Sequence, residues 1–188
     1  MLRKHIVKVS PNHPVPQPGE MDIAATATVQ VTSEDPAHPI EHVFDHRRGP
    51  GGSRWVAEDP GEQTLILAFD TPQIIHQTIL EVEEPEVSRT QELRLSVSYD
   101  GGQTYRELHR QEYNFSPPGT TFEREDWAVR AEGVTHLQLW MKPDKGGKSC
   151  RATLTSLVLK SAEHRTSVTC PAGLALLPAA RSPRWAGR

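Results

Sequence analysis

Gln91-Glu92-Leu93-Arg94-Leu95-Ser96-Val97-Ser98-Tyr99-Asp100-Gly101-Gly102-Gln103-Thr104-Tyr105 is the stretch whose reading decides the fold. Leu93, Leu95, Val97 and Tyr99 alternate with Arg94, Ser96 and Ser98, the period of two that marks a half-buried β-strand. Asp100-Gly101-Gly102 then supplies residues that accept positive φ, as a tight turn requires. The chain resumes at Thr104, Tyr105 and Leu108 as the returning strand, so a hairpin is predicted here.

The same pattern recurs outward in both directions. Towards the N-terminus, Ala25, Ala27, Val29 and Val31 alternate with threonines and Gln30, which predicts a first strand beginning near Ile23 and closed by Asp35-Pro36. Ile40–Asp45 reads as a short amphipathic turn. A glycine-rich loop, Gly49-Pro50-Gly51-Gly52, leads to Ser53-Arg54-Trp55-Val56-Ala57. Gln63–Phe69 is predicted as a strand stopped by Thr71-Pro72, and Ile74–Val82 as a separate one. Towards the C-terminus, Arg110–Gly119 makes a strand and turn, followed by Thr121–Trp127. Val134–Met141 and Ala152–Leu159 are two further strands. Many short strands punctuated by Gly, Pro and Asp, with hardly any helical periodicity, predict an all-β protein: an antiparallel β-sandwich or jelly roll.

The chain has 188 residues, enough for one well-buried domain with some tail left over. Residues 1–20 are read as a Pro-rich leader, 21–162 as the sandwich, and 163–188 as an Ala-, Pro- and Arg-rich mobile tail in which Leu174–Leu177 could form a docking turn. The formal net charge of -3, with mixed signs throughout, argues against nucleic acid as a partner. No apolar run is long enough to insert into a bilayer, and the first ten residues lack the apolar region of a secretory signal. The expected location is therefore cytoplasmic. With only Cys150 and Cys170, a disulfide framework is not expected.

Several of these pieces, in this order, resemble the discoidin, or galactose-binding-domain-like, superfamily (coagulation factor type C-like). They are Val43-Phe44-Asp45 after a helical turn, Ser53-Arg54-Trp55-Val56-Ala57 after a loop, and the strand Gln63–Phe69. The Val97–Tyr105 hairpin and the closing strands Leu137–Met141 and Leu154–Leu159 follow. The resemblance covers roughly residues 22 to 161 and implies a non-catalytic binding module, most often for carbohydrate, sometimes for lipid head groups or another protein. The family often holds a structural calcium with an acidic residue near the start of its last strand. Here that region reads Ala152-Thr153-Leu154-Thr155-Ser156, with no carboxylate, so no cofactor is expected.

Sugar recognition needs an aromatic face and planar polar groups on converging loops. The candidates are Asp45, Arg47, Arg54, Trp55, Glu58, Asn114, Lys142 and Asp144, with Arg48 beside them. Trp55 has two readings, a stacking face or a plug of the core; Trp140 has two, a docking platform or a surface covered by a long side chain. His38, His42 and His46 recur every four residues, but Pro39 limits any helix there, so no metal site is expected. Glu81 and Glu83 share a strand face as a hydrolytic acid pair would, yet the cluster Glu81, Glu83, Glu84 and Glu86 around Pro85 reads better as a solvated edge. Neither a Gly-x-Ser-x-Gly elbow nor a phosphate loop is present, and the Gly49–Gly52 run is a weak phosphate cradle because Pro50 lacks an amide donor. Two functions remain open: carbohydrate binding through the loops at one end, or protein interaction through a sheet face or the arginines Arg181, Arg184 and Arg188. A glycosidase-type enzyme ranks last.

Overall fold

A computed structural model describes residues 17–161. Cys170, Leu174–Leu177 and the C-terminal arginines lie outside the described residues, as does most of the Pro-rich leader. The strands are β1 (Ala27–Val31), β2 (Trp55–Pro60), β3 (Gln63–Glu83), β4 (Arg89–Ser98), β5 (Arg106–Phe115), β6 (Phe122–Lys142), β7 (Arg151–Leu154) and β8 (Ser156–Lys160). Alternation does what the sequence predicts: Leu93, Leu95 and Val97 of β4 are fully buried and pack with Leu65 and Leu67 of β3 and Leu137, Leu139 and Met141 of β6 in one core. The turn after β4 is fixed by Asp100, which accepts hydrogen bonds from Gln103 N, Thr104 N and the Thr104 hydroxyl. Gly102 sits there at φ 84°, and a Cβ on it would meet the His136 ring at 3.2 Å.

The strands pair in the order β1-β3-β6-β4-β5, with β8 added to the second half of β3 and a small β2–β7 ladder alongside. All these pairings are antiparallel. The sequence predicts separate strands at 63–69 and 74–82, and again at 121–127 and 134–141. Each pair is instead one continuous strand of 21 residues. The reason lies in the register. Pro72, which has no N–H to give, falls in the shift between the pairs Ala68↔His136 and Gln73↔Val134, and Gly133 at φ 77° falls in the next shift, between Gln73↔Val134 and Ile74↔Glu132. The β3–β6 ribbon bends there instead of ending. Its first part, Gln63–Ala68 with His136–Met141, is flanked by β1 and β4, and its second part takes β8. This makes the two layers of an all-β, jelly-roll sandwich.

One further departure lies at the start. Ile23–Thr26 is a single helical turn and not strand, because the Asp22 carboxylate caps Ala25 N and the Thr26 hydroxyl bonds back to Asp22 O. Ile40–Val43 is the short turn expected.

The bend fixes where function can sit. Gln63 at the start of β3 pairs with Met141, and Lys142 at the end of β6 pairs with Glu92 near the start of β4. Glu83 at the far end of β3 lies only one short loop from Arg89. Both ends of the folded ribbon therefore meet at one end of the sandwich, where the glycine-rich, 84–88, 116–121 and 143–150 loops gather.

Candidate functional site: the open end of the sandwich

Buried ion pairs build this end. Glu81, Glu83 and Glu84 are 2%, 8% and 6% exposed, so the expectation of a solvated acidic edge is corrected. Each carboxylate has partners that offset its loss of water. Glu81 accepts Gly49 N at 2.9 Å and the Arg124 guanidinium at 2.7 Å. Glu83 accepts Gly51 N at 2.9 and 3.1 Å, with Arg54 at 3.8 Å. The glycine-rich loop does present amides to anions, and the chain's own carboxylates take them. Arg48 forks onto both oxygens of Glu20, at 2.9 and 2.8 Å. Burial alone would raise the Glu20 carboxyl, but Arg48, Gln17 N and Lys160 outweigh it and hold it below the usual range.

Glu84 accepts from Glu86 N, Val87 N and, at 2.8 Å, from Arg89. Arg89 is 4% exposed and donates also to Arg151 O at 2.6 Å and the Thr153 hydroxyl at 3.1 Å. Burial pulls its guanidinium below the ordinary arginine value, against the opposing pull of Glu84. This pair forms the floor of a cleft of about 620 Å³ whose walls carry His38, Arg54, Glu86, Lys148 and Arg151. That size and mix of convergent polar groups suit a small ligand. A narrower groove on the far side of the Lys148 loop is lined by Thr90, Asn114 and Asp144, and another by Glu62, Lys142 and Asp144.

The eight sequence candidates divide accordingly. Arg54 lines the cleft. Asn114 lies in the neighbouring groove, where it accepts from the Thr90 hydroxyl at 2.7 Å. Lys142 faces Glu62 at 3.7 Å. Asp144 is buried and organises the loop by accepting Lys148 N at 2.8 Å and Thr90 N at 3.3 Å; those bonds, Lys148 N first, hold its carboxyl below the usual range. Trp55 is fully buried in the core, so its ring offers no face to a sugar, and the stacking role is corrected to that of a plug. Asp45 spends its oxygens on Arg47 N and the Ser53 hydroxyl and borders a separate apolar hollow, while Arg47 points into solvent and Glu58 is exposed on β2. Trp140 is covered by Arg94, whose guanidinium lies 4.0 Å from the ring centroid, so it is no open platform.

Arg89, Glu84, Glu86, Lys148 and Arg151 were missed as site residues. One signal was legible: Arg89 and Gln91 continue the inward phase of Leu93, Leu95 and Val97, so two polar side chains fall on the core face.

The residues present do not fit the structural calcium that the family resemblance implies. Asp45 is occupied by its own loop, the last strand begins with Ser156, and Glu20 is held by Arg48. Among the described residues no group of three or more His, Cys, Asp and Glu side chains could hold a metal ion. His38 leans on Asp35, His42 on Arg54 O and His46 on Glu20, in three directions.

Solved structures resemble this fold. The CBM32-1 and CBM32-2 domains of Clostridium perfringens ZmpB, in complex with GalNAc, superpose with a TM-score of 0.55 at 12% identity over 75% of this chain and 35% of that one. CBM32-3 from a family 31 glycoside hydrolase of the same organism gives 0.52 at 13%, over 76% and 94%. A C. perfringens CBM32 in complex with GalNAc-β-1,3-galactose gives 0.51 at 17%, over 76% and 99%. The chain shares the β-sandwich fold of these CBM32 domains. The chain spans about a third of the two-domain ZmpB fragment and nearly all of the single modules. No family model matches the sequence, and no curated protein does. Among the described residues no helix is long and apolar enough to cross a membrane.

Proposed function

We propose that this chain is a non-catalytic carbohydrate-binding module that takes its ligand in the cleft floored by the Arg89–Glu84 pair. The observation that carries this reading is the cleft itself: Arg54, Lys148, Arg151 and Glu86 converge on about 620 Å³ at the loop end of a sandwich shared with modules solved with GalNAc and GalNAc-β-1,3-galactose. Planar guanidinium and carboxylate groups suit sugar hydroxyls, which both donate and accept. Asn114, Asp144 and Lys142 belong to the flanking grooves, where a longer saccharide would extend.

Two alternatives have less support. A protein-docking face needs a contiguous apolar patch, whereas the large exposed hydrophobics among the described residues, Ile74, Val87 and Tyr99, sit on three separate elements. Glycoside hydrolysis needs two carboxyls facing a cleft, whereas Glu81 and Glu83 are committed to the glycine loop.

The test is a glycan-array screen of the full chain beside the double variant Lys148→Ala/Arg151→Ala. Both side chains make exposed contacts worth little to folding, so the melting temperature should hold within a few degrees. A glycan bound by the native chain and lost in the variant supports the reading. A blank array, or binding that the variant retains in full, refutes it.

A further inference from the structure

The walls of the cleft differ from what a neutral hexose needs. Among its lining residues only the imidazole of His38 is aromatic, with no Phe, Tyr or Trp, and Trp55, Tyr113 and Phe115, on strands that reach this end, are 0%, 3% and 2% exposed. No phenyl, phenol or indole face is therefore offered for stacking in the cleft, and affinity has to come mainly from hydrogen bonds and charge. The accessible groups are cationic. Lys148 is exposed and uses one of its three N–H donors, on Ser88 O at 2.5 Å. The Arg151 side chain is 46% exposed, with one nitrogen on Asp35 at 2.8 Å. The Arg54 side chain is 24% exposed, and its nearest carboxylate, Glu83 at 3.8 Å, already accepts Gly51 N on both oxygens. His38 stands beside them.

Against these stand two carboxylates. Glu84 is buried and saturated by Arg89 and two backbone amides, which leaves Glu86 as the exposed one. The reachable surface of the cleft is thus positive on a chain whose formal net charge is -3. Such a local reversal of sign concentrates anions.

We infer that the cleft selects acidic saccharides, whose carboxylate or sulfate group sits between Arg54 and Lys148. This rests on the carbohydrate-binding reading and narrows it. Arginine forks onto either oxyanion in two parallel hydrogen bonds, and lysine adds a point charge that tolerates both. Arg151 reaches the same space once its exposed pairing with Asp35 is exchanged for ligand, an exchange that costs little.

Titration calorimetry on the full chain tests this with three oligosaccharides of equal length: an oligogalacturonate, a sulfated galactan and a neutral galactan. The variants are Lys148→Gln and Arg54→Gln, with Arg106→Gln, an exposed residue at the opposite end, removing the same charge elsewhere. At least one acidic ligand should bind tenfold or more tighter than the neutral one and weaken severalfold between 50 and 500 mM salt. Lys148→Gln should lose roughly tenfold, one charge-assisted hydrogen bond, and Arg106→Gln should lose nothing. Preference for the uronate or for the sulfate says which oxyanion is read. Neutral galactan bound as tightly, with loss in the cleft variants, overturns the acidic selection and leaves carbohydrate binding standing. Equal losses in Arg106→Gln and Lys148→Gln also overturn the selection, since they would mean unspecific attraction. No binding of any of the three overturns both readings.

Discussion

Arg89→Ala should be among the most damaging single substitutions at the open end. The side chain is 4% exposed and supports three groups at once: the Glu84 carboxylate at 2.8 Å, Arg151 O at 2.6 Å and the Thr153 hydroxyl at 3.1 Å. Truncation removes the charge that offsets a buried carboxylate, for which about 3–5 kcal/mol is typical. Glu84 keeps Glu86 N and Val87 N, which argues for the lower end of that range. At about 2–4 °C per kcal/mol for a chain of this size, the melting temperature should fall by roughly 6–20 °C. Urea unfolding at pH 7 measures the free energy directly, and an unchanged m-value would show that the loss is local to the native state. The double variant Arg89→Met/Glu84→Gln separates the causes, because replacing both partners removes the orphaned charge. It should recover more than half of the loss. A single-variant cost below about 1 kcal/mol, or a double variant no more stable than the single one, would refute the account of this pair as a buried, mutually dependent frame.

Two further predictions concern the rest of the sandwich. Trp55→Ala should cost about 3–5 kcal/mol by emptying a core position, so any ligand it loses reflects unfolding; thermal denaturation checks this, and a well-folded variant would return Trp55 to the list of binding residues. Asp100 titrates well below the usual carboxylate range because the Thr104 hydroxyl, then Ser98 and the turn amides, stabilise its charged form. The stability it adds is complete above its unfolded pKa of about 4 and fades as the pH drops below that. The gap in urea midpoint between the native chain and Asp100→Ala should therefore be constant above about pH 5 and narrow towards pH 2. A gap that does not change with pH would count against the turn's hold on Asp100.

Most of the sandwich was legible because burial on one face of a strand leaves a period of two in the sequence, as in Leu93, Leu95, Val97 and again Leu137, Leu139, Met141. The joins were not. Thr71-Pro72 has the composition of a strand end, and only the two successive register shifts around Gln73, the second at Gly133, reveal that the ribbon bends through it. Nor was the acidic run: Glu81, Glu83 and Glu84 look solvated in one dimension because their partners, Gly49, Gly51, Arg124 and Arg89, come from other parts of the chain. Of the site candidates, Arg54, Asn114, Lys142 and Asp144 do lie at one end, since loop position was readable. Which of them face a common cleft was not.

The polar floor also bears on how tightly this end could bind. Arg89 and Gln91 occupy inward positions that hydrophobic residues would fill in an ordinary sandwich, and Tyr113 pairs with Gln91 on the adjacent strand. Burying such groups lowers stability unless each is partnered. Both terminal guanidinium nitrogens of Arg89 are, through contacts that also fix the backbone of Arg151 and, by way of Glu84, the 84–87 loop, while Arg89 Nε and the Gln91 amide have no partner among the described residues. Asp144 does the same for the loop that carries Lys148. The residues that line the cleft thus stand on a frame of buried charges and not on free loops. Little order then has to be gained when a ligand arrives, so a few exposed charge-assisted contacts can supply measurable affinity without an aromatic platform.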